Sequence, residues 1–108
     1  MIVVANRFHV AEEHADEFRG RFRDRMGEVE HREGFVRFEL LSPVDHGHID
    51  TDTHVAVTYW EDMDAFEAWT DSEAFREAHR NTPPEEWFTD DNELEIHEVA
   101  FDATGEDT

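Results

Sequence analysis

Residues 2 to 9, IVVANRFH, form a short β-branched and apolar run, and from residue 11 the apolar period changes to that of a helix. The pattern predicts a strand over 2–9 followed at once by a helix. Ala11, Ala15, Phe18, Phe22, Met26 and Val29 recur at spacings of four, three, four, four and three, with Glu, Asp and Arg between them. That spacing describes one amphipathic helix of about five turns, and Gly34 stands where its C-terminal cap is expected. FVRFELL at 35–41 and HVAVTYW at 54–60 read as two further strands, a hairpin joined by the long loop SPVDHGHIDTDT, which Pro43 and Gly47 punctuate. Asp62 is placed to cap a helix running through Trp69. The Thr70-x-x-Glu73 spacing of a capping box predicts that a second, offset helical segment starts there and ends near Arg80. Pro83 and Pro84 forbid its continuation. EEWF at 85–88 is expected to be a loop or a single turn, and LEIHEVAF at 94–101 supplies the last strand.

The order β, α, β, β, broken α, β is that of a ferredoxin-like α+β domain. It spans residues 1–101, and DATGEDT at 102–108 reads as a frayed acidic tail. The helices of such a domain cover one face of the sheet. Phe35 with Val36, Phe38 with Leu40, and Tyr59 with Trp60 suggest apolar residues on both faces, which predicts a homodimer packed sheet to sheet.

Charge narrows the partners. The 108 residues include 29 acidic and 9 basic side chains, every basic one an Arg, for a formal net charge of −20. Nucleic acid and anionic membranes are not expected as partners, since phosphate binding needs a basic face. With 38% hydrophobic residues distributed along the chain, the sequence is expected to fold rather than stay disordered. At roughly 1 M salt the Debye length is about 3 Å, so the self-repulsion of such a surface is largely screened. The lysine-free, acid-rich composition resembles that of proteins from salt-accumulating halophiles. No Cys is present, which excludes disulfides, thiolate nucleophiles and Cys-ligated metals. The N-terminal run carries no secretory pattern and no stretch approaches the ~18 apolar residues of a membrane span, so a cytoplasmic location is expected.

Three residues stand out for chemistry. Asn6 interrupts an apolar strand between Val4 and Phe8 of its own face, where a polar amide must find a partner or serve one, unless it lies on an edge strand facing water. Trp69 follows Phe66 by three positions and reads as core on spacing alone. His79, four residues after Phe75, fits a half-exposed helical imidazole or an axial ligand to haem iron. The loop cluster Asp45, His46, His48 and Asp50 has the donors for a divalent metal, although such Asp, His and Gly loops are usually turns. No phosphate-binding loop or serine nucleophile elbow appears.

ANRF at 5–8, EGF at 33–35 and VTYWEDMDAFEAWTDSEAFREAH at 57–79 together resemble the dimeric α/β-barrel domains of the antibiotic biosynthesis monooxygenase superfamily, over about residues 2–101. Within it the chain is similar to the Isd-type haem-degrading monooxygenases. The resemblance implies haem b as substrate and cofactor, with His79 as proximal iron ligand, Asn6 hydrogen-bonding near the distal oxygen ligand and Trp69 pressing on the porphyrin. Phe66 and Arg80 complete the residues expected at the haem, Arg80 toward the propionates, and Trp87 and Phe88 are expected to close or reshape the pocket. The implied reaction opens the porphyrin with O₂ and an external electron donor and releases iron. A cofactor-free, quinol-type monooxygenase and a non-catalytic haem-binding module remain open as alternatives.

Overall fold

The computed structural model describes residues 1–25, 27–80 and 82–105. β1 (Ile2–His9), β2 (Phe35–Leu41), β3 (Thr53–Trp60) and β4 (Glu93–Glu98) form one antiparallel sheet in the order β2, β3, β1, β4. α1 (Ala15–Arg25) follows β1, while α2 (Met63–Thr70) and α3 (Glu73–Arg80) together lead from β3 to β4. This is the ferredoxin-like βαββαβ arrangement that the order of the elements predicts.

Alternation along β1 decides which side is which. Phe8 meets Phe18 and Phe22 of α1 at ring-centroid distances of 5.2 and 5.9 Å. Ile2 and Val4 cluster with Trp60, whose ring stands edge-on to Phe66 of α2 at 5.9 Å. The even positions of β1 therefore face the helices. Pairing carries that face to His54, Ala56, Thr58 and Trp60 in β3 and to Leu94 and Ile96 in β4. Two aromatic clusters fill the layer. Phe8, Phe18, Phe22, Phe38 and Phe88 lie under α1, and Phe35, Trp60 and Phe66 under α2. Each tilted or edge-on pair adds about 0.5–1.5 kcal/mol beyond its buried area.

Several expected boundaries shift, each for a local reason. Ala11 is extended, with φ −62° and ψ 133°. Its N–H is committed to the Trp87 carbonyl at 2.7 Å beside the bridge between Val10 and Phe88. The chain therefore continues β1 before it can coil, a 3-10 turn at Glu12–His14 follows, and the five-turn helix is reduced to the 11 residues of α1. Met26 lies outside the described residues, and Val29 belongs to a separate 3-10 turn, Val29–His31. Gly34 caps no helix. It sits before β2 at φ 83°, where a Cβ would collide with Ala65 of α2, so both backbone and space demand glycine.

Asp62 caps α2 as expected, its Oδ1 accepting from the Ala65 N–H at 2.8 Å. The Thr70 to Glu73 capping box does not form. The Thr70 hydroxyl donates back to the Glu67 carbonyl, and Ser72 caps α3 instead by accepting from the Phe75 N–H at 3.1 Å. EEWF forms the single 3-10 turn Glu85–Trp87. β4 ends at Glu98 rather than 101, since its last partner is Ile2, and Phe101 is exposed. Of the tail, Glu106 to Thr108 lie outside the described residues.

The open face is less apolar than the sequence suggests. The pairing of β2 with β3 skips Val36, so Phe35 faces Trp60 while Arg37 faces Tyr59. Phe35, Phe38, Leu40 and Trp60 consequently share the helix side. The opposite face carries Val3, Ala5, Val55, Val57 and Leu41 among the pairs Arg7–Glu95 and Arg37–Glu39, with the Tyr59 hydroxyl donating to Glu39 at 2.9 Å. His9 bridges Asp52 and Glu93 there at 3.3 and 2.9 Å.

His54 sits beneath α1, 2% exposed and edge-on to Phe18. Its Nε2 accepts from Arg19 at 2.9 Å, which leaves the proton on Nδ1, and that atom has no partner. Burial, reinforced by the Arg19 charge, holds the imidazole below its ordinary value. Below about pH 6.5 the unfolded chain therefore takes up a proton that the folded chain refuses, and stability is lost as pH falls. His9 acts with the opposite sign. The hydrogen bond to Glu93 leads in raising its pKa, so its contribution is present below the ordinary value and fades as pH rises through the raised one. His54→Gln is expected to lose less melting temperature than wild type between pH 7 and pH 5, values of about the histidine range. Equal acid shifts in the two proteins would contradict the assignment.

Candidate functional site

Asn6 is not on an edge. β1 pairs on both sides, and the Asn6 side chain occupies the helix face between Ala56 of β3 and Leu94 of β4. It is half-buried, and its Oδ1 accepts from Asn92 Nδ2 at 2.8 Å. Toward β4 the helices leave the floor uncovered, Leu94 being 59% and Ile96 45% exposed. An amide thus stands beside open apolar surface, the combination that an apolar ligand with one polar centre requires.

Trp69, at the end of α2, is half-buried and packs on the cluster of Ile2, Val4 and Trp60. Val4 is the neighbour of Asn6 on the same strand face, which sets Trp69 and Asn6 against adjacent positions of β1. The guanidinium of Arg32 lies over the indole at 5.9 Å. Ser72 governs what comes next. Its hydroxyl donates to the Trp69 carbonyl at 2.6 Å and accepts from the Phe75 N–H, so the helix breaks and restarts at a fixed angle. Across that break the Phe75 ring meets Trp69 edge-on at 5.7 Å.

His79 continues the row. Its ring lies 4.0 Å from that of Phe75, and its Nδ1 is 2.9 Å from the Phe75 carbonyl. A carbonyl only accepts, so Nδ1 carries a proton, and Nε2 is the nitrogen left to bind a metal. The side chain is exposed, and Nε2 has no protein partner among the described residues. A neutral imidazole with one nitrogen tied to a carbonyl and the other free is the arrangement of a metal ligand.

The remaining expectations divide. Phe66 belongs to the core through Trp60. Arg80 is exposed and engaged by Glu77 at 2.6 Å. Trp87 and Phe88 lie beside α1 and the end of β1. Trp87 stacks on His14 at 5.9 Å and Phe88 wedges against Phe8 and Phe18, because the hydrogen bonds of Ala11 and Thr89 tie this segment to the end of β1. His46 to Ile49 is a turn closed by two backbone hydrogen bonds with Gly47 at φ 65°, and among the described residues no group of three or more His, Asp or Glu is arranged to hold a metal ion.

A cleft of about 840 Å³ separates α1 from α3. Glu17, Asp24, Glu28, Glu73 and Glu77 line it with Arg21, together with Ala78, the residue before His79. Asn6, Trp69 and His79 are not among its lining residues. The structure links Trp69 to His79 through Phe75 and sets Asn6 beside the strand positions that Trp69 covers, without direct contact among the three. Sequence reasoning missed Ser72, Arg32 and Asn92. Asn92 lies in the polar stretch before β4 and only strand register places it against Asn6.

Comparison with known proteins identifies the family. The antibiotic biosynthesis monooxygenase family model matches residues 1–81. A haem-degrading monooxygenase of Shouchella clausii is 37% identical over 101 residues, 92% of this chain and 90% of that one. A staphylobilin-producing haem oxygenase of Staphylococcus haemolyticus is 41% identical over 81 residues, 75% of each chain. Among solved structures, the haem-degrader MhuD of Mycobacterium tuberculosis, with two haems bound in its active site, superposes with a TM-score of 0.77 at 31% identity, covering 96% of this chain and 100% of that one. With three quarters of its length matched by the family model and the whole sheet and helix layer shared, this chain belongs to the antibiotic biosynthesis monooxygenase family.

Proposed function

We propose that this protein is a haem-degrading monooxygenase, which takes haem as substrate, opens the porphyrin with O₂ and external electrons, and releases iron. The observation that carries the reading is His79, whose tautomer is fixed by the Phe75 carbonyl and whose Nε2 is exposed and unpaired. The relatives that match nearly the whole chain are named for the same activity. The residues fit the ligand. Leu94 and Ile96 offer uncovered apolar floor, Phe75 and Trp69 supply aromatic surface next to His79, and Asn6 supplies the one polar side chain of its row.

Haem supplies the iron at which O₂ is activated, and the protein supplies binding, orientation and distortion. In this reading His79 holds the iron through Nε2, and its Nδ1–H, donated to Phe75, keeps the ring oriented. Trp69, braced by Phe75 and Arg32, presses on the macrocycle. Asn6 would offer its amide N–H to an electronegative atom bound on that side of the haem. The electron donor is external.

The net charge of −20 sets a condition on the medium. With 29 acidic side chains against 9 basic ones, the surface as a whole repels haem propionates in dilute buffer. Haem affinity is accordingly expected to rise as KCl is raised from about 0.1 M, where the Debye length is roughly 10 Å, to about 1 M, where it is roughly 3 Å. A fall over that range would contradict charge repulsion as the limit on binding in dilute buffer. Working in molar salt is part of the proposal, as the composition of the chain suggests.

The second copy is proposed on the open face, where Val3, Ala5 and Val55 are half-buried and Leu41 is exposed. Light scattering in molar KCl is expected to give twice the mass of one chain, and the mass of one chain would remove this part of the account. No helix of the structure is long and apolar enough to cross a membrane.

Turnover tests the site. With ascorbate under air, Asn6→Ala, Trp69→Phe and His79→Ala are each expected to slow loss of the haem absorbance by about tenfold to a hundredfold. Trp69→Phe keeps an aromatic ring in the core, so folding is retained. Full activity in all three would show that the chemistry lies elsewhere.

A further inference from the structure

We infer that Asn92 is a positioning residue for the reaction, because it fixes which end of the Asn6 amide faces the ligand; the inference rests on the reading of Asn6 given above. An Asn side chain is two-fold in shape, since its last torsion is broad and the carbonyl and amino ends occupy nearly the same space. Left alone, Asn6 presents a donor in one orientation and an acceptor in the other. Only the donor is useful beside an electronegative ligand atom.

The structure pairs this amide in one sense. Asn92 Nδ2 donates to Asn6 Oδ1 at 2.8 Å. β4 lies on one side of β1 and β3 on the other, so drawing Oδ1 toward β4 turns Nδ2 away from it, toward the side of β3, where Ala56 is the register partner. Ala56 has no side-chain acceptor, and the Asn6 Nδ2 has no hydrogen-bond partner among the described residues. Both N–H groups are therefore available to a ligand on the helix face.

Asn92 is itself held for this purpose. It shares the parity of Leu94 and Ile96, which places it on the helix face as the diagonal neighbour of Asn6. On one side Glu93 pairs in register with Arg7, and on the other the Thr89 N–H donates to the His9 carbonyl at 2.8 Å. The backbone of the segment is thus pinned to β1 both before and after Asn92. The reciprocal pairing, Asn6 Nδ2 to Asn92 Oδ1, requires both amides to turn together.

The test reads the C–O stretch of the ferrous haem complex with carbon monoxide, in molar KCl. A donor near the bound CO lowers the stretch and an acceptor raises it. Asn92→Ala frees the Asn6 amide to turn and is expected to raise the frequency part of the way. Asn92→Asp replaces a donor by a carboxylate that only accepts, draws the Asn6 amino group toward β4, turns Oδ1 toward the ligand, and is expected to raise it furthest. Asn6→Ala is expected to raise it and to make the band indifferent to whether residue 92 is Asn or Asp. If the effect of Asn92→Asp persists undiminished in the Asn6→Ala background, charge alone is acting and the inference is wrong. If Asn6→Ala shifts the band while neither Asn92 variant does, the role of Asn92 falls and that of Asn6 stands. If haem does not bind, or Asn6→Ala leaves the band where it was, the underlying reading of the site falls and takes the inference with it.

Discussion

β1 is paired on both sides, and that single constraint organises the molecule. An inner strand has no freedom to turn its polar residues toward water at an edge, so period two assigns each side chain to one of two fixed layers. Ile2, Val4, Phe8 and Val10 must be covered, and the two aromatic clusters under α1 and α2 cover them. Asn6 falls in the same row, between the clusters, where an apolar residue would have served the core better. Its presence there is a cost to packing that a partner on the helix face offsets.

The second dependence is local. Ser72 breaks one helix into two and binds both halves through a single hydroxyl, which holds Trp69 edge-on to Phe75. Phe75 in turn does two things for His79, stacking on its ring and accepting its Nδ1 proton. A continuous helix would separate these side chains along its axis. The break therefore couples a residue packed on the core to an exposed imidazole whose reactive nitrogen is left open.

Much of this was legible in the residues. The strand at 2–9, the hairpin, the Asp62 cap and the proline stop reflect local chemistry that tertiary contacts do not override. The helix over 11–29 was not, because the backbone of Ala11 is claimed by Trp87, 76 positions away, and periodicity carries no trace of that bond. The skipped Val36 moves Phe35 to the helix side and lowers the apolar content of the open face, again a matter of register. Asn6, Trp69 and His79 were readable as oddities of type and spacing, and the resemblance to haem-degrading relatives gave them roles. Asn92 and His54 were invisible for opposite reasons. One is an ordinary turn residue until register sets it against Asn6, and the other an ordinary strand histidine until Phe18 and Arg19 bury it.

The charge of the chain and the nature of its ligand pull against each other. A surface of −20 disfavours an anionic porphyrin, so binding must rest on apolar contact and on a bond to iron rather than on attraction between charges. The direct measurement is a ferric haem titration of wild type and His79→Ala in molar KCl, followed at the Soret band. A saturable shift in wild type, lost in the variant and recovered when free imidazole is added, is the predicted result. The same midpoint and the same spectrum in both proteins would contradict the account, since the iron would then be held by some other group.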